Sequence, residues 1–565
     1  MFGLRKRSRG PLGTVRSAKR WIAALPANDP LAVQREVLSV LSKLSQRSAR
    51  RTPASLEAVY FLDTRTSALG TTLLAQYVEH ANRSPKVEDQ LWQALSDLAG
   101  GFRDCYAAFA REIADHPNHR RWQALLHELI VRQIVHLGLD ARLRLYRCER
   151  WAPTRYAELH ALFTRACAQH VERRPIVVDP ERGTTTAEQQ YLIVLVLSLA
   201  DPGNLTPRQI DFIAPRLNEW CLPLRLTVTP RSSTTFYVDL AGGDGLLRRP
   251  LRPLEGRVLF LDTEPLLASL LQRRTALDQA IRGDPLSDRT ARQREEFDVF
   301  VKLAGRIDPE FRPLARRGER SPASGSVDAI VGFKSISGFL HGGDASPAGE
   351  SNLARSYGNT MDLAVFGHTR KEPTYKIDPA RRLIAAFVAP GSPWELKDVS
   401  TSGFRLHAPM SVATEITLSM LVAIRRRGQD AWVLGIVRRM RRMSGTSAEI
   451  GLQLIANALA SADLVEQRTP RNPDYSVSGE PTARAGRRFR GIFLSFSRRP
   501  EEPQVQSLIV PTVEFQAVRR YTLQTNEAPR VIRFGRILEQ QADWIWSVIE
   551  PVEAGAGATG APSVR

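Results

Sequence analysis

The chain has 565 residues, of which 43% are hydrophobic and 24% are charged, and its formal net charge is +20. This length favours two to four domains over one core, and the composition is typical of a globular protein, which excludes a fibre or a wholly disordered chain. The positive charge predicts attraction to anions, but its sign does not distinguish nucleic acid, lipid headgroups and phosphorylated small molecules.

The N-terminal half of the chain has helical patterns. Residues 1–20 are basic and are predicted to form a flexible segment, and no apolar stretch follows that would make them a secretory signal. From 21 to 305, apolar residues recur at spacings of three and four, which predicts a domain of antiparallel helices. Its most apolar run, YLIVLVLSLA, is far shorter than the roughly 20 residues that cross a bilayer. We therefore predict a buried helix there and no membrane span.

Residues 174–305 mix helical and strand patterns. Two short runs, LRLTVTP and TTFYVDL, alternate as strands do and predict a hairpin. Two interpretations follow, a continuation of the helical domain and a separate α/β subdomain.

The C-terminal half is rich in short strands. Residues 312–465 contain alternating or β-branched segments, typical of a small antiparallel barrel. Between them, about 341–393 is poor in hydrophobic residues and rich in Gly, Ser and Asn, which predicts a largely flexible insertion. Residues 484–552 predict a β-rich C-terminal module, and 553–565 a disordered tail.

No catalytic or metal-binding motif is recognisable. The sequence HELIV begins like the zinc motif H-E-x-x-H, but Val131 stands where the second histidine is required. The chain also lacks a P-loop, a nucleophile elbow and a kinase motif set. The four cysteines have no C-x-x-C spacing, which predicts reduced thiols in a cytoplasmic protein. They are Cys105, Cys148, Cys167 and Cys221. We predict a protein that is not an enzyme, with no metal and no cofactor.

The segment DVSTSG ends one of the predicted strands. Asp398 and Ser400 are two residues apart, so their side chains leave the same face of an extended chain, and Gly403 is predicted to allow a tight turn with positive φ. A carboxylate, a hydroxyl and exposed backbone suit a guanine, whose N–H groups can donate to the acid. Alternatively, short polar residues of this kind simply form turns at a strand end.

DVSTSG resembles the D/N-x-S-x-x-G signature of PilZ domains, the receptors for the bacterial second messenger cyclic di-GMP. Downstream, AWVLGIVRRM resembles the late strands of that barrel, and upstream RRGER has the R-x-x-x-R spacing of the family's arginine pair. The resemblance covers about residues 312–465. The ligand-binding residues that it implies are Arg316, Arg317, Arg320, Asp398, Ser400 and Gly403.

In the implied site, the arginines engage phosphate and the Hoogsteen edge of guanine, and the Asp-Ser-Gly residues enclose a second guanine. Arginine suits this role because its planar fork can bind a phosphate through two hydrogen bonds, take guanine O6 and N7 together, or stack on a purine. Arg320 and Asp398 are 78 positions apart, which exceeds the usual spacing. A flexible insertion of about 50 residues adds well under about 1 kcal/mol of loop-closure cost, so the spacing does not exclude the site.

The predicted fold class is therefore α+β multidomain, with an N-terminal helical domain, a central PilZ-like antiparallel β-barrel and a C-terminal β-rich module. The leading functional prediction is a cytoplasmic receptor that binds cyclic di-GMP and relays binding to an unidentified protein partner by domain rearrangement. Two alternatives stay open: a basic nucleic-acid-binding protein, suggested by the net charge, and a structural scaffold whose barrel does not bind ligand.

Overall fold

The computed structural model describes most of the chain outside the predicted insertion. The described ranges are 10–26, 28–46, 48–80, 85–179, 183–199, 203–250, 252–283, 288–308, 320–341, 394–413, 416–427, 431–443, 447–457, 459–467, 487–496, 505–525, 528–541 and 543–552. The flexibility predicted for 342–393 and for the tail 553–565 concerns residues outside these ranges. The chain divides into two compact units, Met1–Ala315 and Arg316–Arg565.

The first unit is mainly helical, as predicted. Its helices are α1 Val15–Ala23, α2 Pro30–Ser45, α3 Pro53–His80, α4 Pro85–Asp115, α5 Arg120–Tyr146, α6 Pro153–Ala168, α7 Ala187–Leu199, α8 Pro207–Trp220, α9 Glu264–Gly283 and α10 Asp288–Ile307. Helix α1 begins within the segment predicted to be flexible up to residue 20. It does so because the side chains of Thr14 and Ser17 form a capping box that satisfies the first backbone N–H groups.

Short strands complete the first unit. Strands β1 Ile176–Asp179 and β2 Gly183–Thr185 form a hairpin, and a second sheet has the order β3-β6-β4-β5; its strands are β3 Leu226–Thr227, β4 Phe236–Asp239, β5 Leu247–Arg248 and β6 Val258–Leu261. The predicted hairpin of LRLTVTP with TTFYVDL is wrong, because β6 lies between β3 and β4 and pairs with both. One hydrophobic core runs from Leu12 to Ile307, so residues 174–305 pack with the other helices.

The second unit begins with the predicted antiparallel barrel. Six strands close it in the order β8-β9-β10-β13-β12-β11, and β7 pairs with the C-terminal part of β9, beyond the residues that pair with β8. The strands are β7 Ser321–Pro322, β8 Ser326–Val331, β9 Trp394–Ser400, β10 Gly403–Pro409, β11 Leu421–Arg426, β12 Val433–Arg442 and β13 Ser447–Ala456, with helices α11 Phe333–Leu340 and α12 Met410–Ala413. We call this the first barrel.

The C-terminal module is a second closed barrel, with the strand order β14-β15-β16-β19-β18-β17. Its strands are β14 Ala460–Gln467, β15 Arg488–Phe496, β16 Val505–Pro511, β17 Arg520–Gln524, β18 Arg530–Gln540 and β19 Trp544–Pro551. Strand β14 belongs to this barrel because it pairs with β15 and β17. The module therefore starts before residue 484, where the sequence pattern placed its beginning.

The two barrels share a hydrophobic cluster. It contains Ile336 of α11, Leu434 of β12, Leu494 of β15 and Trp544 of β19, all almost fully buried. At its margin, the guanidinium group of Arg438 pairs with both carboxylate oxygens of Glu539 on β18. The second barrel is thus packed onto β12, which lies next to β13 in the first barrel.

Candidate functional site

The DVSTSG segment forms a tight hairpin between β9 and β10. Ser400 and Gly403 are register partners, so only Thr401 and Ser402 make the loop. The Ser400 hydroxyl donates to the Gly403 carbonyl oxygen over 3.2 Å, and the Leu454 amide on β13 donates to the Ser402 carbonyl over 2.9 Å. The Ser400 contact is therefore a turn contact, and the hairpin also fixes the position of the acid that precedes it.

A β-bulge at Lys397 turns Asp398 to the outer face of the barrel. Leu396 pairs with Leu406, and both side chains are buried in the barrel. The next pair is Asp398 with Arg405, so β9 has one extra residue where β10 has none. In a regular strand without the bulge, the period of two would place Asp398 on the same face as Leu396. The bulge instead puts the carboxylate on the outer face, beside Arg405.

Arg320 reaches the same face from the other side of β9. Pro322 of β7 is the register partner of Asp398. Arg320 is two residues before Pro322, and residues two apart in an extended chain share a face. Arg320 and Asp398 are 78 positions apart in the sequence and are in direct contact in the first barrel.

Asp398 is held by two arginines. Nη1 of Arg320 donates to its carboxylate oxygens at 3.2 and 3.4 Å. Nε of Arg405 lies 2.6 Å from Oδ2, close enough for an ion pair, although its N–H is not oriented for a hydrogen bond. The carboxylate is only 7% exposed, whereas the side chains of Arg320 and Arg405 are 45% and 42% exposed. Each guanidinium group is therefore accessible to an anion while it neutralises a buried acid.

Gly403 is required by a close strand contact and not by its backbone angle. The predicted positive φ is wrong, since the positive-φ glycines of the described residues are Gly183, Gly256, Gly325 and Gly332. A Cβ at Gly403 would instead lie 2.1 Å from the carbonyl oxygen of Leu452 on β13. Glycine is needed because the hairpin and β13 approach too closely for any side chain.

The structure adds residues that the sequence patterns did not single out. His407 lies two residues beyond Arg405 on the outer face, and Glu449 of β13 is within 3.8 Å of Arg405 and 3.9 Å of His407. Gly451 separates Arg405 from Arg439 in the register of the sheet. Arg405 is two residues after Gly403 on the same strand, so strand periodicity could have indicated that it shares a face with the motif. Glu449 comes from a different hairpin, which no local pattern connects to this one.

Four of the six predicted site residues therefore lie together: Arg320, Asp398, Ser400 and Gly403. Arg316 and Arg317 lie outside the described residues.

A closed six-stranded antiparallel barrel with this hairpin on its outer face, and an arginine just ahead of the first strand, has the architecture of a PilZ domain. Residues 389–460 match the family model described as the middle PilZ domain of the cyclic-di-GMP receptor FimW. Residues 16–231 match the model described as the N-terminal domain of the same receptor. The two matches cover about half of the chain, which belongs to this family of PilZ-domain cyclic di-GMP receptors. No curated protein gives a significant match.

Proposed function

We propose that the outer face of the first barrel, between Arg320 and Arg405, is the cyclic di-GMP site of this receptor. The observation that carries the proposal is the contact of Arg320 with Asp398, because it joins the implied arginine motif to the implied signature motif. The family models support the ligand, since both describe a cyclic-di-GMP receptor.

Ligand binding would exchange partners at Asp398. A guanine N1–H and N2–H can donate to the carboxylate in place of Arg320, which releases the guanidinium group for phosphate or for guanine O6 and N7. Arg405 stays within reach of the acid from the same sheet. The exchange keeps the buried carboxylate compensated throughout, which matters because an unpaired buried charge costs several kcal/mol, about 3–5 in measured cases.

We further propose that the receptor is cytoplasmic, is not an enzyme, and relays binding through its two units to a protein partner. Its four cysteines are free thiols and at least half-buried. No helix in the described ranges is long and apolar enough to cross a membrane. The boundary between the units falls between Ala315 and Arg316, four residues before Arg320. A ligand that binds Arg320 would restrict the chain next to this boundary, which is how binding would be relayed.

Calorimetric titration of the full chain with cyclic di-GMP tests the site. We expect saturable heat for the native chain and at least a tenfold loss of affinity for Arg320→Ala and for Asp398→Asn, because each removes a charge-assisted hydrogen bond of about 1.5–3 kcal/mol. Arg533→Ala is the matched control, since it breaks the exposed Arg533–Glu550 ion pair of the second barrel. No heat at about 100 μM protein, or equal losses for all three variants, would contradict the assignment.

Limited trypsin digestion tests the relay, because Arg316, Arg317 and Arg320 are themselves cleavage sites. We expect saturating cyclic di-GMP to slow cleavage at these positions severalfold in the native chain. The Asp398→Asn variant should show no such protection. An unchanged cleavage rate in a chain that calorimetry shows to be saturated would refute the relay and leave the binding site standing.

A further inference from the structure

The helical unit contains a cavity of about 470 Å³ that the cyclic di-GMP site does not explain. Helices α3, α4, α5, α7 and α8 and the β1–β2 hairpin line it, all within the first unit and within the span of the N-terminal family match. Its size falls in the range of about 300–1,000 Å³ that is typical of small-molecule sites. The family descriptions assign no ligand to this part of the chain.

The cavity has one apolar and one polar wall. The apolar wall comes mainly from α4 and α7, with Leu95, Leu98, Phe102, Ile193, Val194 and Leu197. The polar wall is uncharged for most of its extent and carries the hydroxyls of Thr66, Ser67 and Thr71 and the amides of Gln189, Gln190 and Asn218. Such a lining suits a ligand with an apolar body and few polar groups.

A buried ionic network closes one end of the cavity. Arg132 donates to Asp63 and Glu128, and the Tyr106 hydroxyl donates to Asp63 over 2.7 Å. Nε2 of His136 lies 3.0 Å from the other Asp63 oxygen. Burial alone would raise the pKa of Asp63, but His136, Arg132 and Tyr106 outweigh it and hold that pKa well below its usual range. Asp63 is therefore ionised and fully engaged.

The lining cations leave no charge for an anionic ligand. Arg132 uses both ends of its guanidinium group on carboxylates, and Arg142 pairs with Asp211. Of the other lining carboxylates, Asp179 accepts a hydrogen bond from Ser67, and Glu219 is exposed. A phosphate or carboxylate would enter this cavity without a counter-charge, which is costly in a buried site. The cavity thus favours an uncharged ligand and disfavours a cyclic dinucleotide.

One buried polar atom in the wall is unsatisfied. Nδ1 of His136 has no hydrogen-bond partner among the described residues, although His136 is 7% exposed and its ring stacks on Phe102 at a centroid distance of 5.0 Å. In the neutral tautomer that donates Nε2–H to Asp63, Nδ1 is an acceptor. A buried acceptor left without a donor costs about 1–3 kcal/mol, so a ligand N–H or O–H would gain from this position.

Gly70 is a second observation that favours a ligand in this cavity. It lies in the interior of α3, where glycine is about 0.5–1 kcal/mol less favourable than alanine. It lines the cavity, and a Cβ built there meets nothing within 4 Å. No close packing in the described structure requires a glycine here, and the open volume beside it is the cavity.

From these observations we propose that the helical unit binds an uncharged, mainly apolar small molecule that donates one hydrogen bond to His136. The receptor would then have a second ligand site, chemically unlike the cyclic dinucleotide site of the first barrel.

The test uses N-phenyl-1-naphthylamine, an uncharged aromatic amine whose fluorescence rises in apolar surroundings and whose single N–H can donate to Nδ1. Titration of the full chain should give a saturable rise with one site per chain. Gly70→Phe should weaken binding at least tenfold by filling the cavity, whereas Gly100→Phe on α4, outside the lining, should not. Gly100 is a matched control because it is also a mid-helix glycine, with only its own helix's Arg103 within 4 Å of a Cβ.

His136→Phe should weaken the probe about three- to tenfold through loss of the hydrogen bond, and this variant decides the matter if Gly70→Phe does not fold. Arg320→Ala should leave probe binding unchanged, so this proposal and the cyclic di-GMP site fail independently. The absence of a saturable rise, or binding that survives both cavity variants in folded protein, would overturn the proposal and indicate a cavity that holds water only.

Discussion

Replacing Gly403 by alanine should damage both the first barrel and its ligand site. The added Cβ would lie 2.1 Å from the Leu452 carbonyl oxygen, about 0.9 Å inside the 3.0 Å below which such contacts are essentially never seen. The opposing atom is backbone in the β10–β13 ladder, so it cannot rotate away as a side chain would. Overpacking of this kind costs about 1–3 kcal/mol, and the rigid partner places Gly403→Ala at the upper end.

For a unit of this size, a loss of about 2–3 kcal/mol lowers the unfolding midpoint by about 5–10 °C. Differential scanning calorimetry measures that shift, and titration with cyclic di-GMP should show affinity reduced at least tenfold because the hairpin is displaced. Gly451→Ala is the graded control, since its Cβ would lie 3.2 Å from the Arg439 Cβ and so needs only a few tenths of an ångström. Equal midpoints for the native chain and Gly403→Ala would refute the reasoning.

Three further outcomes are expected. Arg132→Met should destabilise the helical unit by about 3–5 kcal/mol in urea unfolding, because it removes one partner of a buried ion pair and leaves the Asp63 carboxylate without it; a loss below about 1 kcal/mol would show that the network is not needed. Arg438→Met should lower the calorimetric midpoint of the barrels by a few degrees and leave one transition, since it removes the pair with Glu539 but keeps the shared hydrophobic cluster; two separate transitions would show that the ion pair couples the barrels. Burial lowers the pKa of His160, so acidification below about pH 6.5 protonates the unfolded chain first and lowers the midpoint. The fall between pH 7.5 and 5.5 should be smaller in His160→Gln, and equal falls would contradict this role.

Local signals predicted much of the architecture. Helical periodicity identified the first unit, and alternating segments identified both β regions. The signature segment and Arg320 were assigned to one site from a family resemblance; the structure brings Arg320 to Asp398, and their role in ligand binding stays a prediction. The helical and strand patterns share a cause, because each rests on spacing within a single element.

The features that escaped prediction depend on distant pairing. The order β3-β6-β4 places a later strand between two earlier ones, which no pattern within LRLTVTP or TTFYVDL reveals. The need for glycine at position 403 arises from Leu452 on another strand, so a turn angle was inferred in its place. Strand β14 is separated from β15 by 20 residues and gains its identity only from pairing.

The bulge at Lys397 also bears on how related sequences should be compared. The two-residue turn fixes the pairs from Ser400 back to Asp398, so a regular strand that kept Lys397 would turn Leu396 outward and place the lysine inside the barrel. Deletion of Lys397 would instead restore strict alternation with Leu396 still inside and the carboxylate still outside. Sequences that share DVSTSG can therefore differ by one residue just before the acid and still present it on the same face.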